Sequence, residues 1–119
     1  MEYHTELKKK PLFERQDQAT KIMKKFFPKL PVIIDRCNKT DPLIEKNKYL
    51  IDPDTSISTI ISIIRKRVKI DAYQNIFVFI DNEVPNANHT IGEIYHKKAL
   101  LSNHDGFLYL TYSIENTFG

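Results

Sequence analysis

The chain has 119 residues, 41% of them hydrophobic and 28% charged, with a formal charge of +3, which suits one soluble globular domain with a single core. A lone cysteine, Cys37, excludes an internal disulfide and fits a reducing compartment. No apolar run approaches the ~20 residues of a membrane span, and the opening MEYHTELKKKPLFER has no signal-peptide core, so any membrane association is expected to be peripheral or added after synthesis.

The charge is unevenly placed. Residues 1–69 carry sixteen Lys and Arg against nine Asp and Glu, a balance of +7, while residues 70–119 carry two against six, a balance of −4. That split predicts a basic face suited to acidic peptides, phosphate groups or anionic head groups.

In chain order, a short helical piece is predicted around Lys8 to Phe13, followed by a helix over Asp17 to Phe27. In the latter, Ala19, Ile22, Met23, Phe26 and Phe27 repeat at helical spacing. Pro28 and Pro31 close that region. Val32 to Arg36 and Lys48 to Ile51 read as strands joined by a polar connection containing Asp41-Pro42. The run SISTIISIIRKRVK has the β-branched content of a strand. Its Ile57, Ile60, Ile61, Ile64 and Val68 nevertheless recur at helical spacing after a capping Asp54, Thr55 or Ser56, which predicts a helix.

Ile76 to Ile80 reads as a fully apolar strand ending in an Asp81-Asn82 turn. Thr90 and Glu93 form a capping-box pattern, opening a short helix that buries Ile91, Ile94 and Tyr95. Asp105-Gly106 turns the chain into FLYLTYS, the last strand. Helices, strand, strand, helix, strand, short helix, strand is the order of an α+β fold, a β-grasp sheet around one long helix. Its first and last strands would lie side by side in the centre. A ferredoxin-like topology is the competing arrangement.

The residues point away from catalysis. His4, His89, His96 and His104 show no i, i+4 pair and have no thiolates beside them, so no metal site is expected. Cys37 would need an oriented base to act as a nucleophile, and glycine is too scarce for a phosphate-cradling loop. The stretch DGFLYLTY imitates an RNA-recognition strand through Phe107, Tyr109 and Tyr112, although Asp105 stands where a cation is wanted.

The segments KKFFPKLPVIIDR, EKNKYLI, IIRKRVKI, IFVFIDNEVP and DGFLYLTYSIENTFG, in this order and spacing, resemble the autophagy ubiquitin-like modifiers of the GABARAP and light-chain-3 family. The resemblance runs from about Leu12 to Gly119. It implies a ubiquitin-like β-grasp domain over residues 30–119, with a helical extension over residues 1–29. It also implies a substrate, not an enzyme. Gly119, led by Thr117 and Phe118, would be activated by an E1-like enzyme at the expense of ATP, passed to an E2-like conjugating enzyme and joined to phosphatidylethanolamine. A cysteine protease would later release it. No cofactor is implied beyond that covalent lipid.

The resemblance further implies that autophagy receptors dock an aromatic-x-x-aliphatic motif along Lys48 to Ile51. Gln18, Ile22, Pro31, Ile33, Lys48, Leu50 and Phe107 would form the aromatic pocket, and Tyr49, Ile51, Ile60 and Ile63 the aliphatic one. Lys29, Lys46, Lys48 and Arg67 would meet the acidic flanks of such motifs. The expected location is the cytoplasm and, once lipidated, the autophagosomal membrane. The sequence departs from the family pattern where Phe26-Phe27-Pro28 displaces a proline by one position, and where Asp52 precedes Pro53. It departs again at Gln18, in Ser58-Thr59-Ile60 before the long helix, and in a longer stretch from His96 to Asn103.

Overall fold

The computed structural model describes residues 3–101 and 103–116, with side chains over 6–101 and 103–115. Its elements in chain order are α1 (Tyr3–Lys8), α2 (Leu12–Phe26), β1 (Leu30–Arg36), β2 (Lys48–Ile51), α3 (Ile57–Val68), β3 (Gln74–Ile80), α4 (Ile91–Ala99) and β4 (Leu108–Asn116). The strands form one mixed sheet in the order β2-β1-β4-β3. β1 and β4 pair in parallel, with Val32 opposite Leu108 and Arg36 opposite Tyr112. Both outer pairings are antiparallel. Central first and last strands make this the ubiquitin-like β-grasp and remove the ferredoxin-like alternative.

The first helices differ from the periodicity reading. The piece expected over Lys8 to Phe13 straddles a break at Pro11, and α2 starts directly after it at Leu12, five residues before the expected Asp17. Proline lacks an N–H and suits the boundary just outside a helix. At α3 the helical period prevails over β-branched propensity as expected, and among the three candidate caps Ser56 is used. Its Oγ accepts from the Thr59 N–H at 3.2 Å. Thr90 Oγ1 does the same for the Glu93 N–H, also at 3.2 Å. Asp81 and Asn82 both take positive φ, 52° and 66°, as a two-residue hairpin turn requires, and Ile80 and Glu83 exchange backbone bonds across it.

Strand alternation divides the apolar residues between two faces. Val32 and Ile34 of β1, Tyr49 and Ile51 of β2, Ile76, Val78 and Ile80 of β3, and Leu108, Leu110 and Tyr112 of β4 pack against Ile57, Ile60, Ile64 and Val68 of α3. On the opposite face, Ile33 and Phe107 pack against Leu7 of α1 and Ala19 of α2, with Ile22 and Tyr109 at the margin. β1 is therefore buried on both sides, which explains its uninterrupted Val32-Ile33-Ile34 run. Each large side chain so buried contributes about 1.5–3 kcal/mol.

A polar clamp fastens α2 to the start of β4. Asp105 is buried, and its carboxylate accepts from Arg15 Nη1 at 2.8 Å, the Tyr109 hydroxyl at 2.5 Å and the Phe107 N–H at 2.9 Å. Beside it, the Tyr95 hydroxyl donates to the Gly106 carbonyl at 2.6 Å. A second buried carboxylate, Asp41, holds the β1–β2 connection to β4 by accepting from the Ile114 N–H at 3.0 Å and the Asn38 N–H at 2.9 Å.

Two stability predictions follow from the Asp105 region. Burial, then the nearby Asp105 charge, pushes the Tyr95 phenol up to about 12. Burial and the hydrogen bond to Asp105 push Tyr109 up as well. Unfolded tyrosines ionise near pH ~10, so above that value the unfolded chain loses protons that the folded chain keeps, and stability falls as pH climbs toward the folded values. Urea midpoints should drop between about pH 10 and pH 12, and Tyr95→Phe should make that drop shallower. Gly106 has a φ of +96°, and a Cβ there would lie 2.5 Å from the Ala19 Cβ. Gly106→Ala should therefore cost about 2–4 kcal/mol in chemical denaturation, combining backbone strain with overpacking.

Candidate functional site

β2 is an edge strand, bonded to β1 on one side only. The Ile34 N–H donates to the Asn47 carbonyl at 2.8 Å, so Asn47, Tyr49 and Ile51 direct their backbone groups toward β1. By alternation, Lys48 and Leu50 aim their N–H and C=O groups away from the sheet. An extended peptide can add to such an edge as one more strand.

The side chains of β2 divide as its register requires. Lys48 stands opposite Ile33 and Leu50 opposite Pro31, on the face covered by α2. The structure thus brings together Gln18 and Ile22 from α2, Pro31 and Ile33 from β1, Lys48 and Leu50 from β2, and Phe107 just before β4. Their accessibility is unequal. Ile33, Pro31 and Phe107 are buried beneath, while Gln18, Ile22, Lys48 and Leu50 are half-buried and reachable.

The other group faces α3. Tyr49 and Ile51 are each 8% exposed and Ile60 is fully buried, so of these four residues only Ile63 offers more than marginal surface. The family resemblance implies that all four line a pocket; three of them are buried in the packing between β2 and α3. A side chain seated there requires local movement. Burial pushes the Tyr49 phenol up, with the Arg67 charge working against the rise. Lys46 Nζ lies 5.6 Å from the Tyr49 ring centroid.

Lys29 reaches Asp52 at 3.9 Å, both half exposed, a contact of small energetic weight. Lys29, Lys46 and Lys48 thus put positive charge around β2, and Arg67 lies in the last turn of α3. Thr117, Phe118 and Gly119 lie outside the described residues. Cys37 is a free, exposed thiol just past the end of β1, whereas His104 precedes the start of β4.

The aromatic series that imitated an RNA-binding strand is dismantled by burial. Phe107 and Tyr112 are 2% and 0% exposed and lie on opposite faces of the sheet. Tyr109 is covered by Lys8, whose Nζ sits 4.4 Å from its ring centroid, and is hydrogen-bonded to Asp105. This strand therefore offers bases no aromatic platform of the kind its sequence imitates.

Sequence reading missed the Arg15–Asp105–Tyr109 clamp, because its members stand up to ninety residues apart and Asp105-Gly106 carried only a turn signal. It also missed two cavities away from β2. One of about 560 Å³ lies between α4 and the β3–α4 connection, lined by Val84, Ile94 and Leu101 among others. One of about 320 Å³ lies beside Lys8, Arg15 and His104. The His104 Nδ1 accepts from the Gly106 N–H at 3.3 Å, and its buried Nε2 has no partner among the described residues. Among the described residues no three His, Cys, Asp or Glu side chains form a metal-binding group, and no helix is long and apolar enough to cross a membrane.

Comparison with known proteins agrees with this architecture. The family described as autophagy protein Atg8, ubiquitin-like, matches residues 14–119. Autophagy-related protein 8A of rice (Oryza sativa subsp. indica) is 40% identical over 110 residues, covering 92% of this chain and 90% of the rice protein. Autophagy-related protein 8c of Arabidopsis thaliana shows the same identity and coverage. The crystal structure of Trypanosoma brucei ATG8 superposes with a TM-score of 0.77 at 31% identity, covering 92% of this chain and 93% of that one. A shared fold, a family match over most of the length and relatives at this identity place the chain in the Atg8 family, the ubiquitin-like modifiers of autophagy, which are not enzymes.

Proposed function

We propose that the chain is joined through the Gly119 carboxylate to phosphatidylethanolamine, and that in this form it recruits receptors to autophagosomal membranes from a cytoplasmic pool. The observation that carries this reading is the family match running to residue 119, with the glycine at its end. A carboxylate does not acylate an amine at neutral pH, so it must be activated. Attack of the Gly119 carboxylate on the α-phosphate of ATP gives an acyl adenylate and releases pyrophosphate. The cysteine thiolate of an activating enzyme displaces AMP, a conjugating enzyme's cysteine takes over the acyl group, and the lipid amine displaces that thiolate, losing a proton as the amide forms. A glycine suits these transfers because no Cβ crowds the carbonyl.

No cofactor resides in the protein in this scheme, since ATP is consumed by the activating enzyme. A cysteine protease that hydrolyses the amide would return the chain to solution. Two acyl chains, at about 0.8 kcal/mol per buried CH₂, make a stable anchor for a chain of this composition.

Receptor docking is assigned to the β2 edge. Outward backbone groups at Lys48 and Leu50 supply strand addition, the half-buried Gln18, Ile22, Lys48 and Leu50 border the aromatic position, and the basic rim selects acidic flanks. The buried Ile33, Ile60 and Phe107 shape this surface from beneath.

Incubation with ATP, the two conjugating enzymes and phosphatidylethanolamine vesicles should give a lipid adduct by intact mass. Gly119→Ala should reduce its yield at least about tenfold, since a methyl on the α-carbon next to the acyl carbon crowds each transfer. Absence of an adduct from the unsubstituted chain would sink the conjugation reading and leave a peptide-binding adaptor that is never conjugated, and equal yields from the two proteins would remove Gly119 as the residue these transfers require. Separately, Lys48→Glu should weaken an acidic aromatic-x-x-aliphatic peptide by roughly tenfold in calorimetry, by placing like charge against its flank. An unchanged affinity would remove β2 as the docking edge.

A further inference from the structure

The turn between α2 and β1 exposes two consecutive aromatics. Phe27 is 84% exposed and Phe26 is 40% exposed. Phe27 ends α2 with extended backbone, φ −47° and ψ 136°.

The aromatics are bracketed by lysines. Lys24 and Lys25 precede them on the exposed side of α2, and Lys29 follows. Lys25 Nζ lies 5.4 Å from the Phe26 ring centroid. Asp52 meets Lys29 only at 3.9 Å, and Lys21, one turn back, is already paired with Asp17 at 3.0 Å. The local surface is therefore apolar at its tip and cationic around it.

From these observations we infer that the Phe26-Phe27 turn is a docking element for bilayers carrying anionic lipid. Aromatic rings partition into the boundary between head groups and acyl chains, and flanking lysines add attraction to a negative surface. A protein partner for so exposed a ring would need a pocket to receive it, whereas a bilayer interface needs none. Neither of the two cavities described above is lined by Phe26 or Phe27, and an 84% exposed Phe27 presents its ring outward to solvent. The strand order also separates it from the end of β4. β1 and β4 run parallel from Val32 and Leu108, so Phe27 sits at the end where β4 begins. Asn116, where β4 ends, lies eight residues beyond Leu108, roughly 26 Å at ~3.3 Å per residue. This contact is thus independent of conjugation and is open to the unconjugated chain.

The chain contains no tryptophan, so Phe27→Trp reports on this turn alone. With the full unconjugated chain, its emission should shift to the blue on adding phosphatidylcholine vesicles that contain phosphatidylserine. The shift should be absent with phosphatidylcholine alone and reversed as salt is raised to about 1 M, where the screening length falls to about 3 Å. Phe27→Ser, a change at the surface, should lower co-sedimentation with the same anionic vesicles by roughly tenfold through loss of the inserted ring.

Phe13→Trp, at the other end of α2 and 70% exposed in the native residue, should show no shift. The inference is overturned by no response from Phe27→Trp, by an equal response with neutral vesicles, or by an equal response from Phe13→Trp. It is likewise overturned if gel filtration shows wild type self-associating and Phe27→Ser monomeric, because a second copy would then cover the turn.

Discussion

The parallel pairing of β1 with β4 is the constraint on which the rest of this fold depends. With the first and last strands in the centre, β2 and β3 are forced to opposite edges, and the connection between them must cross the whole sheet. Three strand spacings are about 14 Å, and the twelve residues of α3 span about 18 Å, enough for the crossing in one helix. That helix closes one face, and α1 with α2 closes the other. β1 is left with no exposed side, β4 keeps the half-buried Thr111 and Ser113 on one face, and β2 keeps a free edge. The surface proposed for docking is therefore a product of strand order before it is a product of any particular side chain.

Much of this was legible in the sequence, because the signals are local. The spacing of Ile57, Ile60, Ile64 and Val68 outweighed the strand propensity of isoleucine, and α3 indeed buries those four positions. Thr90 with Glu93, and Asp81-Asn82, marked a helix start and a hairpin turn through chemistry that needs no tertiary context. The α1–α2 boundary differs from the expected one because Pro11, inside the piece expected over Lys8 to Phe13, separates the two helices. The strand ends at Gln74 and Asn116 extend beyond the apolar runs, since hydrogen-bonded pairing with a neighbour continues where apolar composition does not.

Accessibility could not be read in the same way. Leu50 and Ile33 look alike in sequence, yet one borders solvent and the other is wholly buried under α2. Ile60 and Ile63 sit in one apolar run and differ in the same respect. Burial at a given position is set by whatever covers it, and the cover here comes from helices distant in the chain. The Asp105 clamp shows the limit most clearly. No local pattern ties an arginine at position 15 to an aspartate at position 105, although each gains its meaning from the other.

The late position of β4 in the chain also determines how the molecule comes apart. The segment over residues 81–90, exposed for most of its length, separates everything up to β3 from α4 and β4. A cut there leaves a larger piece in which β1 and β3 have lost the only strand that joins them, and a smaller piece that carries that strand. Neither piece retains a continuous sheet, and together they hold every hydrogen-bonded ladder of the whole. The fold is, in effect, two interlocking halves with a natural seam, suited to reconstitution from fragments and intolerant of losing either one.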